Sequence, residues 1–421
     1  MLNRIFCFFL ITIIVCACEK NIDPAVIANQ YPPEIEKIII NKCAVSGCHN
    51  NRSFQNAANL NLTTWNTLME GGVNGSCVIP FQPSFSSLFQ FINTYDSIGI
   101  VAYPTMPINN TALSLAEVKT MKKWIEDGCP NTSGKIPFEE ELIVQKKIYI
   151  TNQGCDVVSI VNTSNNLVAR YISVGGDKQK IESPHTLKVS PDGRYWYVCF
   201  ATGKYFQKFD SKNDELIAQV EIGEGSWNVV SISNDGLSAY ISDLNSNGKV
   251  VKVNTSSMQV TATYMANGIL SYPHGIAISS TGDTLYFTGQ YGNTLYRFIP
   301  SIPHIDLISL QKNVAPHTIP NTLDPHEIIT SPDGSKYFLT CQSSNEVVVI
   351  QAGVDTVLSS IPVGIYPLEM SISKKRNKIY VVCQEDPNPL NPFYKGGVYE
   401  IDINTLKVTN IIYANFFNLM A

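Results

Sequence analysis

Apolar and polar positions follow two different patterns in this chain. Near its start, Pro33 opens a run with Pro in the first turn, which predicts a helix. A second helix is predicted after the Ser114–Glu117 capping box, because apolar residues then recur every three to four positions. Its apolar stripe comprises Val118, Met121, Trp124 and Ile125. Beyond residue 138, short apolar runs alternate with turn residues, which predicts strands.

An internal repeat fills residues 138–421. Each full copy has a Ser and, seven residues later, an aromatic residue. In several copies an Asp-Gly pair, which favours a tight turn, lies between the Ser and the aromatic residue. The repeat aromatics are Tyr149, Tyr197, Tyr240, Tyr286, Phe338 and Tyr380. Steps of 42 to 52 residues with four short strands per copy are typical of β-propeller blades. Six copies predict six or seven blades; the first lacks an innermost strand, which residues 416–421 are candidates to supply.

The amino-acid composition excludes several classes of protein and of binding partner. The 421 residues carry a net charge of −5, so there is no basic excess for a nucleic-acid partner. Hydrophobic content of 44% against 15% charged residues excludes disorder and coiled coil as the main state. Eleven cysteines indicate an oxidising compartment or a bound metal.

The first residues have the pattern of an export signal. Arg4 precedes an eleven-residue apolar run, 5–15, which is too short to span a bilayer. Ala17-Cys18 then resembles a bacterial lipobox. The resemblance implies cleavage before Cys18, lipidation of Cys18 and a protein anchored in the bacterial cell envelope, facing the periplasm or the cell surface. Plain secretion is the alternative.

Candidate cofactor chemistry lies at Cys43 and Cys48, which is followed at once by His49. Two thiols and an adjacent imidazole are what covalent haem needs, although the usual spacing is C-x-x-C-H and here four residues separate the cysteines. Gly47 favours the turn of the enlarged loop. A Cys43–Cys48 disulfide and a zinc site are the alternatives.

A second iron ligand is expected downstream, on a loop. Met106 stands in Tyr-Pro-Thr-Met-Pro, 57 residues after His49, and is the candidate. Met69 and Met121 compete with it, and Met121 belongs to the helix stripe. Cys77 and Cys129 remain, and a disulfide between them is plausible in an oxidising compartment.

This order of elements, over residues 33–130, resembles the cytochrome c domains fused to many bacterial lipoproteins. The resemblance implies one covalent haem c, with thioethers at Cys43 and Cys48, His49 as proximal ligand and Met106 as distal ligand. The repeat resembles the YVTN-type bacterial propellers, fold relatives of nitrous oxide reductase and amine dehydrogenase heavy chains. The predicted organisation is a signal peptide 1–17, a tether 18–32, an all-α haem domain 33–130, a linker 131–137 and an all-β propeller 138–421.

Pro-His pairs are the most specific feature of the repeat. His185, His274 and His326 occupy one equivalent position, where the other copies have Asn228 and Leu368. Because this position starts the innermost strand, these side chains are expected to ring one mouth of the channel. They are candidate metal or substrate ligands. The alternative is a structural role, in which Pro-His forms a corner of the repeat and the imidazole hydrogen-bonds the backbone of the next blade. Two further pairs, ending at His304 and His317, are expected on the same face.

The sequence therefore predicts an electron-transfer lipoprotein rather than a self-contained enzyme, with the propeller docking an unidentified redox partner or holding a second redox site. A membrane contact through the lipid anchor is expected, and a nucleic-acid partner is not. The alternatives are a non-redox surface protein whose propeller binds glycan or protein, and a metal oxidoreductase built on the Pro-His ring.

Overall fold

The computed structural model of the chain describes residues 29–138, 147–265, 268–302, 304–387 and 396–414. The chain divides into two compact units, Met1–Pro137 and Phe138–Ala421. Within the described part, no helix has both the length and the apolarity to cross a membrane. The predicted export signal, Cys18 and residues 416–421 lie outside the described residues.

The first unit is helical. Its α-helices are α1 (Pro33–Lys42), α2 (Trp65–Met69), α3 (Ser87–Ile92) and α4 (Leu115–Glu126), with 3-10 turns at Phe54–Asn56, Pro83–Phe85 and Asp96–Ile98. The predicted capping box of α4 is present, since the Ser114 side chain accepts from the Glu117 N–H and the Glu117 carboxylate accepts from the Ser114 N–H. The predicted stripe is buried: Val118, Met121, Trp124 and Ile125. Both helix predictions are therefore confirmed.

The second unit is a six-bladed β-propeller, each blade an antiparallel sheet. Blade 1 comprises β1 (Lys147–Asn152), β2 (Val157–Asn162) and β3 (Leu167–Ser173). Blade 2 comprises β4 (Pro184–Val189), β5 (Tyr195–Phe200), β6 (Tyr205–Asp210) and β7 (Leu216–Glu221). Blade 3 comprises β8 (Trp227–Ile232), β9 (Ser238–Asp243), β10 (Lys249–Asn254) and β11 (Gln259–Met265).

Blade 4 comprises β12 (Pro273–Ile278), β13 (Leu285–Gly289), β14 (Thr294–Ile299) and β15 (His304–Ser309). Blade 5 comprises β16 (Pro325–Thr330), β17 (Lys336–Cys341), β18 (Glu346–Gln351) and β19 (Thr356–Pro362). Blade 6 comprises β20 (Ile365–Ser373), β21 (Lys378–Glu385), β22 (Gly396–Asp402) and β23 (Lys407–Ala414). Of six or seven predicted blades, six are present, and the described part of blade 1 has no innermost strand, as predicted.

The repeated Ser and Asp build the turn between the first two strands of a blade. In blade 2, the Ser190 hydroxyl donates to Asp192 at 2.6 Å and accepts from the Tyr195 N–H at 3.0 Å, while Gly193 has a φ of 73°. This positive φ is accessible to glycine without steric cost. Blade 5 repeats the arrangement, with Ser331 donating to Asp333 at 2.6 Å. The predicted corner is confirmed.

A register shift near the start of the innermost strand frees one backbone N–H, and a threonine hydroxyl pairs it. In blade 5 the pairing with β17 shifts between Pro325 and Ile328, and the Glu327 N–H donates to Thr340 Oγ1 at 3.0 Å. The same hydroxyl donates to the backbone carbonyl of Leu368, in blade 6, at 2.7 Å. One buried side chain thus satisfies the bulge and joins two blades.

The link between successive blades recurs around the propeller. The donor stands two residues after the repeat aromatic, except in blade 2, where that position is Cys199 and a neighbouring strand supplies the hydroxyl. The links are Thr151 to His185 O (3.0 Å), Thr186 to Asn228 O (2.5 Å), Ser242 to His274 O (3.1 Å), Thr288 to His326 O (2.6 Å) and Thr340 to Leu368 O (2.7 Å). Each link therefore fixes the residue that follows the Pro of the next blade, or its equivalent.

We expect Thr340→Val to lower the free energy of unfolding of the propeller by about 2–4 kcal/mol. The valine keeps the shape of the side chain but leaves the Glu327 N–H and the Leu368 carbonyl without a partner, and each buried unsatisfied group costs about 1–3 kcal/mol. Urea unfolding followed by circular dichroism measures the loss. Thr356→Val, at an exposed position of the outermost strand, is the matched control; equal stability of the two variants would contradict this account.

Candidate functional site

The helical unit contains a cavity of about 660 Å³. Its lining includes the four residues that the sequence singled out, namely Cys43, Cys48, His49 and Met106. Apolar side chains of Leu60, Leu62, Leu88, Phe91 and Ile92 also line it. The volume is in the range of cofactor-binding pockets, and a mostly apolar lining with a few convergent polar groups is typical of them.

Backbone and side-chain hydrogen bonds hold the loop that carries the two thiols. The His49 N–H donates to the Cys43 carbonyl at 3.1 Å, which closes the loop, and Gly47 turns it with a φ of 81°. Asn50 Nδ2 donates to the Val45 carbonyl at 2.7 Å. Ser53 Oγ donates to the Cys48 carbonyl at 2.7 Å. The sequence did not single out these last two contacts, although Asn and Ser after the motif are typical loop-closing residues.

The orientation of the His49 ring is set by one backbone carbonyl. His49 Nδ1 lies 3.0 Å from the Leu60 carbonyl oxygen. Because a carbonyl only accepts hydrogen bonds, Nδ1 carries the proton and the lone pair is on Nε2. An imidazole whose second nitrogen is held in this way is the arrangement that metal-ligating histidines adopt.

Met106 lies on the cavity wall, whereas its two competitors do not. The Met106 N–H donates to the Phe91 carbonyl at 2.7 Å, which ties this loop to the end of α3. Met69 and Met121 are 8% and 1% exposed and belong to the core. Of the three methionines, only Met106 therefore shares a cavity with His49.

The four described cysteines of the helical unit are free thiols, namely Cys43, Cys48, Cys77 and Cys129. Burial raises the pKa of the Cys43 thiol to about 11, and the neighbouring Cys48 adds to this effect. A protonated thiol is a poor nucleophile. Cys77 lines the cavity, Cys129 is buried, and neither is in a disulfide in this structure.

In the propeller, the three equivalent histidines meet at one mouth of the channel. The rings of His274 and His326 are 3.9 Å apart between centroids, and those of His185 and His274 are 6.0 Å apart. The His185 ring hydrogen-bonds the backbone of Asn228, and the His274 ring hydrogen-bonds the backbone of His326. Both contacts reach the next blade, which is the structural alternative that the repeat suggested.

Of the other two Pro-His pairs, His317 lies on this face and His304 does not, so the expectation was wrong for His304. His304 begins β15, the outermost strand of blade 4, and lies at the opposite end of the sheet from His274. It is exposed, and its Nε2 lies 3.0 Å from Asp306. His317 is in the loop between β15 and β16, at the end of the blade where β12 begins, and its carbonyl accepts from Thr294 Oγ1 at 3.0 Å. His304 lies at the other end because the hairpin between the third and fourth strands turns there.

The electrostatics of the channel mouth keep the imidazoles neutral. Burial lowers the pKa of His326 to about 3, and His185 adds to this. Burial and the neighbouring histidines lower the pKa of His274 well below its usual range. Among the described residues, no group of three or more His, Cys, Asp or Glu side chains is placed to hold a metal ion.

Sequence reasoning missed a pair of carboxyl groups beside these rings. Glu327 and Glu369 each follow the residue at the His position, in blades 5 and 6, and their side chains hydrogen-bond one another. Burial and the charge of Glu369 raise the pKa of Glu327. Glu369 Oε1 lies 3.9 Å from His326 Nδ1. A Glu at the same repeat position in two consecutive copies was the signal available in the sequence.

The propeller resembles solved structures of low sequence identity. A hydrazine synthase from Kuenenia stuttgartiensis is 16% identical with a TM-score of 0.50, covering 56% of this chain and 77% of that one. A functionally unknown protein from Desulfotomaculum acetoxidans is 15% identical (TM-score 0.51; 65% and 81% covered), and a streptogramin B lyase is 15% identical (TM-score 0.50; 66% and 81% covered). No family model and no curated protein matches the chain. These likenesses concern the propeller fold.

We expect the wild-type propeller to lose stability relative to His326→Leu as the pH falls below about 6.5, the pKa of an unfolded histidine. Between that value and the folded pKa of about 3, the unfolded chain binds a proton that the folded chain does not, so acid favours unfolding. The leucine is the residue that the sixth copy has at Leu368. Urea unfolding at pH 7 and pH 4.5 should give a relative loss of about 2–3 kcal/mol.

Comparison with the variant cancels the titration of groups that both proteins share. His317→Leu, at a half-exposed position in the loop before β16, is the control and should change the pH dependence of the unfolding free energy far less than His326→Leu does. A difference between wild type and His326→Leu that does not vary with pH would refute the burial of a neutral imidazole at this position.

Proposed function

We propose that this protein is a c-type cytochrome lipoprotein that transfers single electrons through one covalently bound haem. The observation that carries the proposal is the shared cavity: two thiols, an imidazole and a thioether, separated by up to 63 positions, line one apolar space of about 660 Å³. This donor set matches the needs of covalent haem with His/Met ligation. The propeller would dock the redox partner.

Each residue has a defined role in this proposal. Cys43 and Cys48 would hold the haem, and His49 Nε2 and Met106 Sδ would ligate its iron, which supplies the one-electron couple. The Leu60 carbonyl keeps His49 in the ligating tautomer. The apolar side chains of the lining would limit contact of the haem with water and so favour the lower net charge of the reduced site.

The protonation state of Cys43 bears on how the haem would be attached. Because the Cys43 thiol has a pKa of about 11, it remains protonated near neutral pH and reacts slowly unaided. Attachment therefore calls for a dedicated maturation system, as expected of covalent haem proteins assembled outside the cytoplasm. A host without that system should yield the same chain without cofactor.

We expect protein made in a maturation-competent host to carry one haem that survives denaturation. Cys48→Ser should lose most of it, and Met106→Leu should keep the covalent haem but change its absorption spectrum and lower its potential, since thioether ligation favours the reduced state. Met69→Leu is the matched control, because it makes the same change in the core, and should do neither. Haem staining after denaturing electrophoresis, spectroscopy and redox titration measure these effects.

A colourless protein from a maturation-competent host, with Cys43 and Cys48 joined in a disulfide, would refute the cytochrome assignment. That result would favour a non-redox binding protein.

The lipid anchor is a second part of the proposal, and it rests on the sequence alone. We expect Cys18→Ala to release the protein from the membrane fraction or to leave its precursor uncleaved, because the thiol of Cys18 is the acyl acceptor that the lipobox resemblance implies. Cys16→Ala is the matched control and should leave processing normal. Membrane fractionation of the cells measures the association, and mass spectrometry of the purified protein shows whether the precursor is cleaved. Normal processing and membrane association of the Cys18→Ala variant would refute the anchor.

A further inference from the structure

The loop that carries Met106 completes the end of α3. The last carbonyls of a helix have no partner within the helix itself. Here the Ala102 N–H donates to the Gln90 carbonyl at 2.9 Å, and the Met106 N–H donates to the Phe91 carbonyl at 2.7 Å. The Met106 loop, residues 94–107, therefore supplies the missing partners of the helix, and the helix in turn fixes the backbone of Met106.

These two bonds require the chain to return to α3 after an excursion. Residues 94–101 leave the helix and come back at Ala102, and closing such a loop costs conformational entropy. Thr94, Asp96 and Ile100 are exposed, so burial of apolar surface contributes little to the closure. The course of this segment therefore depends mainly on hydrogen bonds.

One buried side chain, Asn93, provides such bonds. Asn93 is the C-cap residue of α3 and is 0% exposed. Its Nδ2 donates to the Gly99 carbonyl at 3.0 Å and to the Ile100 carbonyl at 3.1 Å, while its Oδ1 accepts from the Tyr95 N–H at 3.0 Å. Because the partners are backbone carbonyls and a backbone N–H, the orientation of the amide is unambiguous. Asn93 thus ties both ends of the segment 95–100 to the end of the helix.

The loop also packs closely on α3 where Asn93 holds it. Gly99 has a φ of 149°, which is accessible to glycine and strained for other residues. A Cβ atom at this position would lie 2.9 Å from the Phe89 ring. The missing side chain therefore permits the approach that places the Gly99 carbonyl within reach of Asn93.

We propose that Asn93 is a positioning residue for Met106 in its role as the sixth iron ligand. By fixing residues 95–100, Asn93 returns the chain to α3 at the point from which Met106 reaches the cavity wall. This inference rests on the proposed haem. In that site the two axial ligands would be held differently, because His49 follows the covalently attached Cys48, whereas Met106 is held by its loop. Loosening the loop would therefore affect the methionine ligand first.

The test is titration of the haem-containing full-length protein with imidazole, followed by absorption spectroscopy. Imidazole competes with Met106 for the sixth position of the iron, so its apparent affinity rises when the methionine is held less firmly. We expect Asn93→Ala to raise this affinity about tenfold and to lower the reduction potential, because the hydrogen bonds that fix the loop are lost.

Asn131→Ala is the matched control. The Asn131 oxygen accepts from the Ser133 and Lys135 N–H groups at 3.0 Å and 2.9 Å, in the segment that follows α4. The control therefore removes an amide that also holds a loop but makes none of the bonds to the Met106 loop. Its imidazole affinity and its potential should equal those of the wild type.

Two further measurements cover the case in which Asn93→Ala does not fold. Asn93→Asp keeps the size of the side chain and the acceptor for the Tyr95 N–H but loses both donors, so it should also raise the imidazole affinity. In the wild-type protein, saturating imidazole should speed hydrogen exchange of the Asn93 side-chain amide, because coupling between Met106 ligation and these bonds is reciprocal.

Unchanged imidazole affinity in the Asn93 variants, an equal rise in Asn131→Ala, or an Asn93 amide that stays protected with imidazole bound would overturn the positioning role. Each of these results is obtained on protein that contains haem. They are therefore distinct from a wild-type protein without haem, which would refute the proposed function and this inference with it.

Discussion

One hydrogen bond, repeated between blades, is the constraint on which the propeller depends. In blades 4 and 5 its donor, Thr288 or Thr340, also accepts the N–H freed by the register shift of its own blade. Its acceptor is the backbone carbonyl of the next blade. Since the acceptor is a backbone group, the link tolerates any side chain there, and His326 and Leu368 are held in equivalent positions.

The helical unit positions its chemistry by the same means. Asn50 and Ser53 bond backbone carbonyls of the loop that carries the thiols, and the Leu60 carbonyl fixes the His49 ring. These bonds are local or span about ten residues, so the loop geometry is determined largely within residues 43–60. An enlarged spacing between two cysteines is therefore compatible with a well-defined position of the following imidazole.

The sequence predicted what depends on local spacing and missed what depends on pairing across blades. The repeat aromatics mark all six blades and Ser-x-Asp-Gly turns mark three of them, so the repeat and these corners were recognisable. The approach of Glu327 to Glu369 arises from two blades 42 residues apart in sequence. His304 was misplaced because a Pro-His pair looks alike at either end of a sheet, and only its strand position separates the cases.

Backbone groups, rather than the imidazoles, hold neighbouring blades together at the channel mouth. The backbone carbonyls of His274 and His326 accept the links from Ser242 and Thr288. Because a backbone carbonyl is present whatever the side chain, the link does not require histidine, and the sixth copy keeps it with Leu368. The architecture of the blades therefore leaves the side chain at this position open to selection for another role.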